Sequence, residues 1–533
     1  MRELLAGRIS DPEGPLPTEH RRLQEQAEAV TYRAVVTGQS EPLDRALACL
    51  QALANQQGAN GLFLTGDNVC SPPDSSFTAN GLARLVRVCR RYGSGGSPLA
   101  ARLRRLEQAA ETVLRALLAG LLPGGVHTPN HRWEIAAALA ELGDLYRLPR
   151  ATARCDRWLA EGVDLQADGL FSERSPSYAC YVSGPCLLRL AELRERPELA
   201  GMVHTSLHAH LELLDGDQLE TIQSRRQDQL TGFGLRHFAW LYRVVALATG
   251  CARCGDAAAQ AEAAGGGDPV PALGELLLDP GLARDLPRGG PAPADGWTVL
   301  EPSGLAIWRG GGDRVVVRAA RDVPRLGRVA SGTAANPTFL RARLGQVRLE
   351  SFRLSRAFFG LGPLRATELA VSGGAARLTE RLEACYWQPT EPPYGFEHEG
   401  RFAAEMGFSH RERQPIRLAT SADVHVTPGR LELLLSVTGA SVAMCLEIGL
   451  GAVEVAGDPL QDLGDQRYAL ADPGEVLIGG RSAQVGVEGR LEPAGWYDPG
   501  EAYTFLNGTD AVGGTRLYLG LRSPGQARLV LRV

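Results

Sequence analysis

Two hydrophobic periods divide the chain. From about residue 20 to about residue 255, apolar residues recur at i, i+3, i+4 and i+7, the spacing that lays a stripe along one face of an α-helix. HRRLQEQAEAVTYRAVV, PLDRALACLQALANQ, PLAARLRRLEQAAETVLRALLAGLL, NHRWEIAAALAELGDLY and FGLRHFAWLYRVVALATG are examples, divided by turn signals such as PGG at 123–125, ADG at 167–169 and DGD at 215–217. Many helices with no fixed sequence period predict antiparallel pairs closing into an (α/α) toroid, in preference to a solenoid. After Gly296 the period falls to two. RVVVRAARD, QVRLESFRLS, RLELLLSVTG and TRLYLGLRS alternate apolar with polar or arginine residues and are broken by glycine-rich turns. Such short strands predict an antiparallel β-sandwich. Between the two, AEAAGGGDPVP and LPRGGPAPADG flank one helical piece, ALGELLLDPGLARDL, a composition suited to an inter-domain connection. The expected architecture is α+β and multidomain: a helical domain over 1–260, a linker with a short helix over 261–295, and a β-sandwich over 296–533.

Composition narrows the function. A chain of 533 residues is too long for one ordinary core. A net charge of -5 argues against a nucleic-acid partner, which calls for a basic surface. All 56 basic residues are arginine, so Schiff-base and phosphate-loop lysine chemistry are excluded. MRELLAGRISDPEGPLP has no apolar core of a signal peptide, and no run of about 18 apolar residues predicts a membrane span. The expectation is a cytoplasmic chain with no membrane partner, although loss of a leader would look the same. The ten cysteines are scattered and are read as buried free thiols. Cys251 and Cys254 form a C-x-x-C, but a zinc site wants a second pair or histidines at ligand spacing, and none follows closely.

Four segments carry polar and aromatic residues that serve no simple amphipathic face. In GDNVCSPPDSSFTANG (66–81), Ser75 or Ser76 is the expected N-cap of a helix, with Asp74 beside it. In GGVHTPNHRWEIAAALAEL (124–142), His127, Asn130, His131, Trp133 and Glu134 crowd one loop-to-helix junction. Asn130 can cap that helix, and a helix N-terminus also offers N–H groups to a substrate carboxylate. In LQADGLFSERSPSYACYVSGP (165–185), Glu173 and Arg174 precede a helix start at Ser175-Pro176, with Tyr178 and Tyr181 three apart on one helical face. In TIQSRRQDQ (221–229), Arg225 and Arg226 suit bidentate contacts to carboxylate or sulfate. In the β region His398 stands in YGFEHEGRF. His410 and His425 follow, which leaves a structural divalent metal there as an alternative to no cofactor at all.

An Asn-His pair opening a mid-domain helix, followed about 40 residues later by D-G-x(3)-E…Y-x-x-Y, resembles the heparinase II/III-like and oligoalginate polysaccharide lyases. The residues are Asn130-His131 and Asp168-Gly169-Leu170-Phe171-Ser172-Glu173…Tyr178-Ala179-Cys180-Tyr181. The resemblance implies β-elimination at a uronic acid in an acidic polysaccharide or oligosaccharide. Asn130 and His131 would neutralise the C5 carboxylate, and Tyr178 or Tyr181 would take the C5 proton and return one to the leaving oxygen, helped by Arg226 or His131. His398 would complete the site from the β domain. His127, Trp133, Glu134, Glu173, Arg174 and Arg225 would line it. Two readings compete. An (α/α)-toroid glycoside hydrolase acting on uronides could use Asp74, Glu134, Glu173 or Asp228. A non-catalytic carbohydrate-binding protein could retain the same fold.

Overall fold

A computed structural model describes the chain apart from residue 11 and residues 65–68, 225–227, 230–231, 320–335, 391–406, 494–501, 504–507 and 510–512. The chain divides into two units, Met1–Ala292 and Pro293–Val533.

Helices of the first unit begin where sequence chemistry supplies a cap. Ser97 accepts from the Ala100 N–H with Pro98 in the first turn, and Asp268 accepts from Val270 with Pro269 behind it. Each such cap contributes about 1 kcal/mol. Ser71, not Ser75 or Ser76, caps Pro72–Tyr92 by accepting from the Asp74 N–H. Pro72 fits the first helical position, so the helix starts four residues earlier than the hydroxyl pair suggested. Ser75 is instead buried and accepts from the Phe63 N–H at 2.9 Å.

Successive helices pack in pairs: His20–Thr37 on Leu43–Gln56, Pro72–Tyr92 on Pro98–Leu121, His131–Tyr146 on Pro149–Leu159, and Ala239–Thr249 on Ala252–Ala263. Helix His131–Tyr146 also touches Pro72–Tyr92 and Gly184–Leu193, and every residue from Trp133 to Gly143 is buried. A helix apolar all round belongs in the middle of its array.

The expected linker is different in the structure. Its helix, Pro269–Leu278, buries Ala272, Leu273, Leu276 and Leu277 against His20–Thr37 and Pro72–Tyr92. The approach is close enough that a Cβ on Gly274 would lie 2.7 Å from the Tyr32 ring and 2.9 Å from Arg84 Cδ. Glycine- and proline-rich flanks gave the segment a linker's composition, but its apolar face belongs to the helical core.

Two large sheets make up most of the described second unit. In one of nine strands, Gly296–Leu300, Leu305–Gly310, Asp313–Arg318, Leu340–Leu344, Val347–Arg356 and Ala443–Gly451 lie side by side from the edge inward. In the other, of eight, Glu368–Ser372, Ala375–Trp387, Arg413–Thr427, Arg430–Gly439 and Gly525–Arg532 are neighbours. Pairing among the described strands is antiparallel except where Arg467–Leu470 runs beside Thr515–Arg522. Leu431, Leu433, Leu435 and Val437 point inward at period two and join Phe352, Leu354, Leu446 and Ile448 of the other sheet in one apolar core. The opposite face of the nine-stranded sheet carries a buried charge pair: Arg353 Nη1 lies 3.3 Å from Glu447 Oε1, both essentially inaccessible, and the Tyr518 hydroxyl donates to Glu447 at 3.1 Å. Extra hydrogen bonds of this kind offset the desolvation of a buried ion pair.

Candidate active site

All four polar segments meet in the helical unit, the first through Asn80, which donates to Glu134. Glu173 Oε2 accepts from the backbone N–H of Asn130 at 3.2 Å, joining segments 43 residues apart. Ser224 Oγ donates to the Arg174 carbonyl at 2.8 Å, bringing in the polar turn after Glu220. That turn follows strand Gln218–Leu219, which pairs with Phe233–Gly234 in a small sheet. The sheet leads into the single turn Leu235–Phe238, and His237 Nδ1 then sits 2.6 Å from the Tyr181 hydroxyl. Phe233 packs edge-on to the Tyr181 ring at 5.7 Å.

Tyr181 owes its position to a local irregularity. Ser175 accepts from the Tyr178 N–H and starts a helix at Pro176, as the sequence suggests. After Tyr178, however, the helix widens into one π turn, Ala179–Ser183, closed by the Gly184 N–H on the Ala179 carbonyl. Such turns are rare and concentrate at functional positions. Here a Cβ on residue 184 would lie 2.7 Å from both the Ala179 carbonyl oxygen and Leu241 Cδ2, so glycine permits the closure. The two tyrosines therefore do not share a plain α-helical face. Tyr178 is half-buried, whereas Tyr181 is 46% exposed.

Electrostatics separate the members of the Tyr181 pair. Burial pushes the Tyr181 phenol up. Burial, followed by the neighbouring Arg236, pushes His237 below its ordinary value, so at neutral pH the imidazole is uncharged, and its tautomer sets which of the pair donates.

Asn130 stands at the N-cap position of helix His131–Tyr146, but its side chain caps nothing: its backbone is already helical and its side chain accepts no N–H. Its Oδ1 accepts instead from Thr128 Oγ1 at 2.8 Å. Its Nδ2 is buried with no hydrogen-bond partner among the described residues. A buried donor left so costs about 1–3 kcal/mol and calls for an explanation. His127 is exposed, His131 is half-buried, and their rings meet edge-on at 4.8 Å. Arg174 is buried at φ 50, a left-handed conformation that costs a non-glycine residue about 1 kcal/mol or more.

Two expected substrate contacts are corrected. Trp133 is fully buried, its Nε1 donating to Asp164 at 3.3 Å under the Arg132 guanidinium, so its ring offers no sugar platform. Glu134 is buried on Asn80, which donates to it at 2.7 Å; desolvation pushes its carboxyl up to about 7. Both point into the core because their helix is buried all round. Glu173, also buried, serves to hold Asn130. Arg225, Arg226 and His398 lie outside the described residues. His237 was not singled out; its only sequence signal is an Arg-His pair after GFGL, which resembles any helix entry.

Against known proteins, no protein-family model matches the chain, and no curated protein matches it. Solved structures do. A chondroitin AC lyase of Streptomyces coelicolor A3 in complex with chondroitin sulphate aligns over 100% of this chain and 76% of its own, with TM-score 0.52 and 13% identity. At this identity the likeness shows the fold alone: a helical unit followed by antiparallel sheets, as in that lyase. A Paenibacillus xanthan lyase also aligns with this chain over 100% of its length and 56% of the xanthan lyase, with TM-score 0.50 and 10% identity. A heparan sulfate lyase of Pedobacter heparinus aligns at TM-score 0.49 and 11% identity, over 99% of this chain and 82% of its own.

Proposed function

We propose that this chain is a polysaccharide lyase that cleaves a uronic-acid-containing polysaccharide or oligosaccharide by β-elimination. The observation that carries the reading is the exposed Tyr181 phenol on its π turn, 2.6 Å from an imidazole that burial keeps neutral. Of the two tyrosines this one is favoured, because a base must reach its substrate.

In the proposed reaction Tyr181 passes its proton to His237 and takes the C5 proton of the uronate. The C4–O bond then breaks, a C4–C5 double bond forms, and the departing oxygen receives a proton from the phenol. Loss of the C5 proton leaves charge on the uronate carboxylate. The Asn130 Nδ2 group and the His127–His131 pair are suited to meet that charge with preorganised donors. Glu173 and the strained Arg174 act as positioning residues, tying Asn130 to the segment that leads into Tyr181. Arg225 and Arg226 follow Ser224 in the sequence, and their guanidinium groups suit bidentate contacts to an acidic substrate. The test is a panel of uronate polysaccharides followed by the ultraviolet absorbance of the unsaturated product. Rising absorbance supports elimination. Reducing ends without that absorbance sink the proposal in favour of hydrolysis. Binding with neither signal sinks it in favour of a carbohydrate-binding protein.

A further inference from the structure

Away from Tyr181, four side chains with metal-binding chemistry converge on the helical unit. His204 and His208 lie one turn apart on helix Pro197–Glu212. Cys251 is the N-cap of helix Ala252–Ala263, and Cys254 lies in its first turn. One ligand atom from each falls within 4.8 Å of all the others. His204 and His208 present their Nε2 atoms to each other at 3.0 Å. Cys251 Sγ lies 3.4 Å, and Cys254 Sγ 4.0 Å, from His208 Nε2.

These are the edge lengths of a small tetrahedron. Zinc bonds of about 2.0–2.1 Å to nitrogen and 2.3 Å to sulfur, at tetrahedral angles, place two nitrogens about 3.3 Å apart and nitrogen and sulfur about 3.5 Å apart. We propose that His204, His208, Cys251 and Cys254 form a structural zinc site of Cys2His2 type. The C-x-x-C was read as free thiols because no histidines follow it; the pair instead precedes it, His208 by 43 residues. With four protein ligands the site is closed, with no position open for substrate. Binding takes both thiols to thiolates and releases two protons to solvent, so the ion's two charges are balanced within the site.

The environment suits that exchange. Three of the four residues are only half-buried, which gives the ion a path in, and Cys254 closes the inner side. Arg253 and Glu212 bridge the same two helices at 2.5 Å beside the cluster. Helix Ala252–Ala263 in turn packs against the turn Leu235–Phe238 that carries His237. The zinc therefore fastens the second support of the candidate active site to the body of the helical unit.

The full chain, expressed with added zinc and purified without chelator, should hold one zinc per molecule by elemental analysis and native mass spectrometry. A Cys251→Ser/Cys254→Ser double variant should hold none. If that variant does not fold, His204→Ala removes a single half-buried ligand and should weaken zinc binding on the order of 100-fold. Cobalt(II) added to the zinc-stripped chain should give thiolate charge-transfer bands and the intense visible bands of a tetrahedral ion. A metal-free chain whose cobalt spectrum shows no thiolate bands overturns the proposal, as does a Cys251–Cys254 disulfide in protein purified under reducing conditions. None of these readouts depends on lyase activity, so the proposal stands or falls apart from the function proposed above.

Discussion

Two of the hydrogen-bonded tyrosines in the helical unit stand in opposite circumstances. Tyr32 is fully buried. Its hydroxyl donates to Glu28 at 2.6 Å, Arg84 donates to the same carboxylate at 2.9 and 3.2 Å, and Gln24 adds a further bond. Every polar group there answers another, and the Gly274 helix closes over the cluster. Among the described residues Tyr181 has one polar partner, His237, and nearly half its surface is open. Burial pushes both phenols up, so a perturbed phenol alone does not mark an active site. What separates them is access, together with the neighbour: Glu28 is held by Arg84, Tyr32 and Gln24, whereas His237 is an imidazole that burial keeps uncharged at neutral pH.

The largest expected difference between the two clusters is in rate. Tyr181→Phe should lower turnover on the order of 10²–10⁴-fold, while thermal melting stays at the wild-type value. In the same assay the acid limb of the kcat/KM profile should fall below the ordinary histidine range, because protonated His237 no longer accepts the phenolic proton, and His237→Gln should remove that limb. A Tyr181→Phe variant with full turnover would erase the contrast altogether. The sealed cluster should respond in stability instead. Glu28→Ala leaves Arg84 partly buried without its main partner and should cost about 3–5 kcal/mol in chemical denaturation, with activity per folded molecule unchanged.

A third effect is set by pH. Burial pushes His20 and His210 down to about 4, from 6.5. His210 donates its Nδ1 proton to the Ser206 carbonyl at 2.7 Å, and its Nε2 is buried with no partner among the described residues, so a second proton has no acceptor. The unfolded chain takes up these protons first. Stability is therefore whole above about pH 6.5 and is lost as pH falls toward 4, by on the order of 3 kcal/mol per histidine. Denaturation at pH 7 and pH 5 should show the wild type losing more than His210→Gln. The smallest effect is Tyr32→Phe, about 1 kcal/mol, since Glu28 keeps its Arg84 and Gln24 bonds.

What could be read from sequence follows the range of the interaction that decides each feature. The division into helices and strands is local, because i, i+4 and i, i+2 spacing is written within a dozen residues. The cap at Ser175 and the crowding at Asn130 were legible for the same reason. Whether Trp133 meets sugar or core depends on helices packed around it from distant parts of the chain, and an aromatic at a helix entry looks the same in either case. His237 meets Tyr181 across 56 residues, and His208 meets Cys251 across 43. Neither spacing corresponds to a local period. The linker was misjudged by the converse route: its composition was local, but the surface that buries it was not.

The π turn at Ala179–Ser183 makes the aim of Tyr181 a matter of residue count. A π turn is in effect one residue more than the α-helix needs, and each residue of a regular α-helix turns the chain by about 100°. Deleting a single residue there would let Pro176–Leu193 run as an unbroken helix, with no change to the core face of its C-terminal half, yet would swing the tyrosines through about a quarter of a turn. The helix would gain regularity, and the phenol would no longer face His237. A lineage could thus lose, or acquire, this arrangement in one codon, without passing through a less stable fold.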